Sequence, residues 1–177
     1  MQKNFSQLKK NLKKDFTSLN AIKVAVLGDT ATQFLSQALK GMGFDYGFDL
    51  QIWEADFNQI ERQVFDTNAE LYEFNPEVVI IFQSAHKLLG KYNKLKPDTH
   101  VSFASTELGL IEAITNELES NLSAKIIYYN YTEIDDAIFG NFANKIQSSF
   151  LFQLRKLNYE LMQFAAKQSN FYICDIS

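Results

Sequence analysis

With 177 residues, 46% of them hydrophobic and 21% charged, the chain is long enough to bury one sizeable core and too apolar to be disordered. A formal net charge of −4 makes a nucleic-acid or anionic-membrane surface an unexpected partner. The single cysteine, Cys174, excludes an internal disulfide, residues 1–20 lack the apolar core of a secretory signal, and no apolar run approaches the roughly 20 residues of a membrane helix. A soluble, cytoplasmic protein is expected, with an N-terminal helix over residues 1–20 and one α/β domain over 21–177.

In chain order, Phe5, Leu8, Leu12, Phe16 and Leu19 recur at spacings of three and four, which predicts an amphipathic helix over 4–20 with its lysines in water. Ile22–Leu27 is almost wholly apolar and predicts a short buried strand. Gly28 allows a sharp exit from it, and Asp29 or Thr30 is placed to cap the helix begun by Ala31, Phe34, Leu35, Ala38 and Leu39. Gly41-Met42-Gly43 reads as the stop signal of that helix. Phe48–Glu54 alternates as a second strand, with Trp53 near its end as a packing residue.

Residues 57–74 predict two short helices split at Asp66-Thr67-Asn68, the second ended by Asn75-Pro76, because the residue before a proline is pushed out of the α region. Glu77–Gln83 is apolar on both faces, as in a strand covered by helices on each side. Further on, the pattern predicts a loop and short helix over 84–92, an exposed connection to residue 98 and a long helix over 101–121. A strand over 123–129, an extended segment to residue 147, a helix over 148–168 and a last strand over 170–175 complete the chain. Strands separated by helices predict a five-stranded parallel sheet in an α/β/α sandwich.

In such folds ligands bind at the carboxyl ends of the strands. Here those ends carry Gly28-Asp29-Thr30, Trp53-Glu54, Gln83-Ser84, Asn130-Tyr131 and Asp175, a rim of hydroxyl, amide and carboxylate groups poor in activated nucleophiles. Neither glycine-rich phosphate loop follows the first strand, and Phe82-Gln83 stands where a phospho-accepting aspartate would be needed. His86 and His100 have no cysteine or histidine partners at metal-ligand spacing, and Cys174 reads as a packed thiol.

Val26-Leu27-Gly28-Asp29-Thr30 resembles the G-D-S block of SGNH-type hydrolases, whose serine is the nucleophile. Three runs resemble the N-terminal domain of FkbH-like proteins: Gly28–Gln33, Glu54–Gln63, and Ala69–Val79 leading into Ile80-Ile81. Gly140-Asn141 and Leu157-Asn158 fall where that family carries G-N and L-N. The resemblance implies an SGNH-like or flavodoxin-like fold and a C-terminal domain of the HAD superfamily, subfamily IIIC, opening with a D-x-D-x-T run. Magnesium would belong to that domain, with no cofactor in this chain. It also implies an association with loading a phosphorylated three-carbon unit onto an acyl carrier protein. The sequence accordingly reads as one module cut from a longer protein.

Thr30 replaces the SGNH serine, and its β-branching restricts χ1. Gln83-Ser84 stands where oxyanion-hole residues would lie, and no D-x-x-H pair follows the last strand. A hydroxyl without an adjacent base stays un-ionised. The leading expectation is a non-catalytic module that binds a ligand, a carrier protein or the HAD domain, through Gly28, Asp29, Thr30, Gln83, Ser84, Asn130 and Asn141. One alternative is an esterase or acyltransferase site in which Thr30 is completed by residues outside this chain. The other is a structural dimerisation or docking domain in which Asp29 and Thr30 only cap a helix.

Overall fold

A computed structural model describes residues 3–134 and 136–177. Five parallel strands form one sheet: β1 (Asn20–Gly28), β2 (Phe48–Glu54), β3 (Val78–Phe82), β4 (Lys125–Tyr129) and β5 (Phe171–Cys174). Their spatial order is β2-β1-β3-β4-β5, so the chain reverses direction across the sheet after β2. The reversal opens a crevice between the carboxyl ends of β1 and β3, the place where open α/β sheets bind ligands. The all-parallel, three-layer expectation therefore holds.

The helices are α1 (Phe5–Asn11), α2 (Gln33–Asp45), α3 (Ile60–Phe65), α4 (Glu70–Phe74), α5 (Ala85–Tyr92), α6 (Phe103–Asn121) and α7 (Phe150–Ala165), with 3-10 turns at Pro97–Ser102 and Gly140–Lys145. They cover the two sheet faces unequally. Ala25 and Leu27 of β1, Val79 and Ile81 of β3, and Ile126 and Tyr128 of β4 join one large core with buried residues of α3 to α7. On the other face Val24, Val26 and Ile80 form a smaller core against Leu39 of α2, Leu50 and Ile52. Alternation along each strand divides the side chains between the two layers.

Local chemistry explains where the elements stop. Asn4 caps α1 with a full capping box to Gln7. The helix expected over 4–20 nevertheless ends at Asn11, because further on the Asp15 carboxylate accepts the Thr17 N–H (2.9 Å) and hydroxyl (2.8 Å), a local bond that competes with helix continuation. The expected stop at Gly41-Met42-Gly43 is also corrected, since both glycines lie inside α2. A Cβ on Gly41 would sit 2.3 Å from the Leu8 carbonyl oxygen, and the Asn11 side-chain amide donates to the Gly41 carbonyl at 2.8 Å. Gly41 is there to let α1 cross α2 in contact. Trp53 stacks on Phe74 with ring centroids 6.1 Å apart and packs against the large core, as expected of a packing residue.

One polar side chain organises the α6–α7 layer. Gln153 of α7 is buried; its Oε1 accepts the Ala104 N–H at 2.8 Å and its Nε2 donates to the Gln147 carbonyl at 2.6 Å. No helix among the described residues is long and apolar enough to cross a membrane.

Replacing Gly41 by alanine is expected to destabilise the chain by about 1–3 kcal/mol, the usual cost of overpacking. Gly109→Ala, at an α6 position where a Cβ would meet nothing within 4 Å, is expected to stabilise it by about 0.5–1 kcal/mol. Urea unfolding of both variants checks this; equal effects would contradict the close approach of α1 to α2.

Candidate functional site

The turn after β1 is held from three sides. The Asp29 N–H donates to the Phe82 carbonyl at 3.2 Å, extending the β1–β3 pairing by one bond, and the Asn58 N–H donates to the Gly28 carbonyl at 3.2 Å. A Cβ on Gly28 would lie 2.5 Å from Thr32 Cγ2, so the chain can fold back this tightly only at a glycine. The helix cap expected at Asp29 or Thr30 is corrected by this geometry. Thr32 is the N-cap of α2, makes no side-chain cap bond, and donates its hydroxyl to the Glu54 carboxylate at 2.7 Å.

Asp29 points across the crevice instead. Both its carboxylate oxygens accept the Ser84 N–H at 3.0 Å, which ties the end of β1 to the N-cap residue of α5. Asp29 is 7% exposed. Burial raises its pKa, opposed by the Ser84 N–H bond and the charge of Lys87.

A cavity of about 360 Å³ opens over this contact, lined by Asp29, Asn58, Ile60, Glu61, Gln83, Lys87, Leu88, Lys91 and Glu107. That volume suits a small metabolite. Lys91 is committed to Glu107 of α6 by a 2.8 Å ion pair, and Glu107 is buried. Lys87, one turn earlier on the same face of α5, forms no ion pair among the described residues. Its ammonium stands 4.2 Å from the centre of the Phe57 ring.

Two buried phenols set the direction of the Gln83 amide. Tyr128 Oη donates to Gln83 Oε1 at 2.5 Å, Tyr131 Oη lies 2.5 Å from Tyr128 Oη, and a longer Tyr131 bond to the same Oε1 measures 3.4 Å. Burial pushes both phenols upward in pKa, Tyr128 well above its ordinary value, so both remain proton donors at neutral pH. With Oε1 taken, Gln83 is left with its two N–H groups to offer the cavity. The site thus presents one unpaired ammonium and a pair of amide donors beside three carboxylates, Asp29, Glu61 and the Lys91-paired Glu107: a place to hold a hydroxylated small molecule with one anionic group.

The expected site residues divide. Gly28, Asp29, Gln83 and Ser84 converge at the crevice. Thr30 is half-buried beside them but does not line the cavity, and its hydroxyl has no hydrogen-bond partner among the described residues. Neither imidazole reaches it: His86 is exposed on α5, and His100 stacks on Tyr92 with centroids 3.9 Å apart. Asn130 is engaged elsewhere; its amide donates to Asp175 Oδ1 at 2.7 Å and accepts the Ile176 N–H at 2.7 Å. Asn141 is exposed in the 3-10 turn before α7 and takes no part in the cavity.

Sequence reasoning missed Lys87, Lys91, Glu107 and Asn58. The two lysines carried a readable signal, the i, i+4 spacing on the helix directly after β3. Glu107 carried another, a carboxylate three residues after Ala104 and four before Ile111 on the buried stripe of α6. Asn58 left no signal beyond its residue type, although its φ of 59° belongs to the left-handed region that asparagine tolerates.

Among the described residues no group of three or more His, Cys, Asp or Glu side chains could hold a metal ion. A surface groove of about 540 Å³ lined by Val101, Asn144, Phe152 and Arg155, among others, gathers no strand-end residue.

The fold has a close counterpart among solved structures. The crystal structure of the N-terminal part of the protein BF1531 from Bacteroides fragilis, which contains a phosphatase domain and is complexed with Mg, superposes with a TM-score of 0.92 at 43% identity. The alignment covers 99% of this chain and 46% of that one, so the chain spans about half the length of its counterpart. No curated protein matches the chain. The family described as FkbH, N-terminal domain, matches residues 23–177. That match runs from within β1 to the last residue and takes in the crevice and its cavity, and on it the chain belongs to the FkbH N-terminal domain family.

Proposed function

We propose that the chain is a non-catalytic, SGNH-like binding module of a longer polypeptide whose C-terminal part is a HAD-type phosphatase domain, and that the cavity between β1 and β3 holds a small phosphorylated or carboxylated three-carbon ligand. The observation that carries this reading is the pairing at the cavity of an uncommitted ammonium, Lys87, with Gln83, whose carbonyl is already occupied. An anion of the ligand meets Lys87 and the Gln83 N–H groups; its hydroxyls meet the Asp29 and Glu107 carboxylates. An acyl carrier protein is the macromolecular partner that this reading implies, and magnesium would belong to the phosphatase domain.

The Gly28-Asp29-Thr30 turn keeps the position of a hydrolase nucleophile turn without its chemistry. A threonine hydroxyl with no imidazole or carboxylate base in contact is a weak nucleophile at neutral pH. Asp29 is spent on the Ser84 N–H and stands away from any role in deprotonating it.

Calorimetric titration with 3-phosphoglycerate tests the binding reading. Saturable binding is expected, weakened roughly tenfold or more by Lys87→Ala and by Gln83→Leu, since a hydrogen bond to a charged group contributes about 1.5–3 kcal/mol. No binding, or binding indifferent to Lys87, would overturn it. A fluorogenic short-chain ester separately tests catalysis: no turnover above background is expected, in the wild type or in Thr30→Ala, and turnover lost in Thr30→Ala would restore the hydrolase reading.

The raised pKa of Asp29 predicts a pH signature. A carboxyl that binds its proton more tightly folded than unfolded contributes stability below its unfolded pKa, and that contribution is lost as pH rises through the folded value. Asn in its place keeps a carbonyl for the Ser84 N–H and has no charge to desolvate. The stability of Asp29→Asn relative to wild type is therefore expected to rise in urea unfolding as pH is raised from below the ordinary carboxylate range through the raised value of Asp29. A difference that is flat or falls with pH would contradict the desolvated carboxylate.

A further inference from the structure

On one face of the sheet the helices among the described residues leave the β4–β5 part bare. On the α2 side, Ile80 of β3, Ile127 of β4 and Tyr172 of β5 are register partners in a row. Along that row exposure climbs from 6% at Ile80, through half-buried Ile127, to 47% at Tyr172. A second row runs beside it. Phe82 meets Tyr129 edge to face with centroids 5.5 Å apart, and Tyr129 is paired with Cys174 in register. All three of these residues are partly exposed. α3 to α7 pack against the opposite face, and α2 with α1 covers the β1–β2 side. Parallel strands are normally covered on both faces, so an aromatic, apolar stripe across β4 and β5 calls for an occupant.

The outgoing backbone is held beside that stripe. The Asn130 side chain mimics one more step of β4–β5 pairing, donating to Asp175 Oδ1 and accepting the Ile176 N–H, both at 2.7 Å. The Asp175 carboxylate also accepts the Ser177 N–H at 3.0 Å and hydroxyl at 2.8 Å. These bonds fix the direction in which residues 175–177 leave the edge strand. The counterpart from Bacteroides fragilis has more than half its length beyond the aligned region and contains a phosphatase domain.

We propose that the α2-side face of β4 and β5 is the docking surface for the C-terminal phosphatase half of the longer polypeptide, and that Asn130 is the clamp that aims the connection onto it. This rests on the reading of the chain as one half of such a polypeptide. Tethering at β5 gives the second half an effective concentration on this face in the millimolar range, which a free second copy of the chain would not match. In this account Asn130 positions the connection and touches no ligand.

The intact mass of the native polypeptide tests the underlying reading by itself: a chain ending at Ser177 would refute the phosphatase half. With both halves present, docking is read from the alkylation rate of Cys174 by iodoacetamide, mapped by peptide mass spectrometry, and from hydrogen exchange of the 171–174 amides. Both are expected to be at least about tenfold slower in the two-domain polypeptide than in the 177-residue chain. Tyr172→Arg in the two-domain polypeptide should return both to the rates of the single half. Tyr172 is 47% exposed in this chain, so the change is compatible with folding, and far-ultraviolet circular dichroism verifies that it folds. Equal rates in the two polypeptides would overturn the proposal. So would slow rates in the 177-residue chain accompanied by dimeric light scattering, which would assign the face to a second copy.

Discussion

The bond on which the site depends joins the Asp29 carboxylate to the Ser84 N–H across the crevice. Burying a carboxylate is costly unless its oxygens find donors, and here both share one backbone N–H with Lys87 nearby. The bond fixes where α5 begins, and with it the projection of Lys87 and Lys91. It also brings Gln83, the last residue before Ser84, to the phenols of Tyr128 and Tyr131. The cavity is the consequence of one acid being satisfied by the start of α5, the helix that directly follows the adjacent strand β3.

That arrangement also supports the proposal that the turn is not a hydrolase site. A nucleophile turn needs its hydroxyl at the cavity with a base in contact, whereas here the tight return at Gly28 directs Asp29 inward and leaves Thr30 off the cavity wall. Helix α2 is begun two residues later, by Thr32, whose hydroxyl is committed to Glu54. The helical layers are unequal: one sheet face is complete within itself and one is finished only over β1 and β2.

Much of the fold was legible because its signals are local and redundant. The β3 segment is apolar at every residue from Val78 to Phe82, and the bounds of β2 at Phe48–Glu54 and the break at Asp66–Asn68 follow from alternation and cap residues. The misreadings arose where a residue's partner lies far away in sequence. Gly41 looks like a helix stop until Leu8 is seen against it, and the α1 pattern looks continuous until Asp15 captures Thr17. The candidate site was half legible for the same reason. Strand ends identify Asp29, Gln83 and Ser84, but only the packing of α6 on α3 and α5 brings Glu107 to Lys91, and only the loop before α3 brings Asn58. Asn130 stands at a strand end like the others, yet the bond to Ile176 across 46 positions gives it a different task.

The central claim is that the cavity between β1 and β3 is a binding site for a small anion. The most direct measurement is an amide chemical-shift map of the 177-residue chain during addition of 3-phosphoglycerate. The account predicts perturbations concentrated in Gln83–Lys91, around Asn58–Glu61 and at Glu107, and saturating together. Perturbations centred instead on the groove between Val101 and Arg155, or none at all, would contradict it.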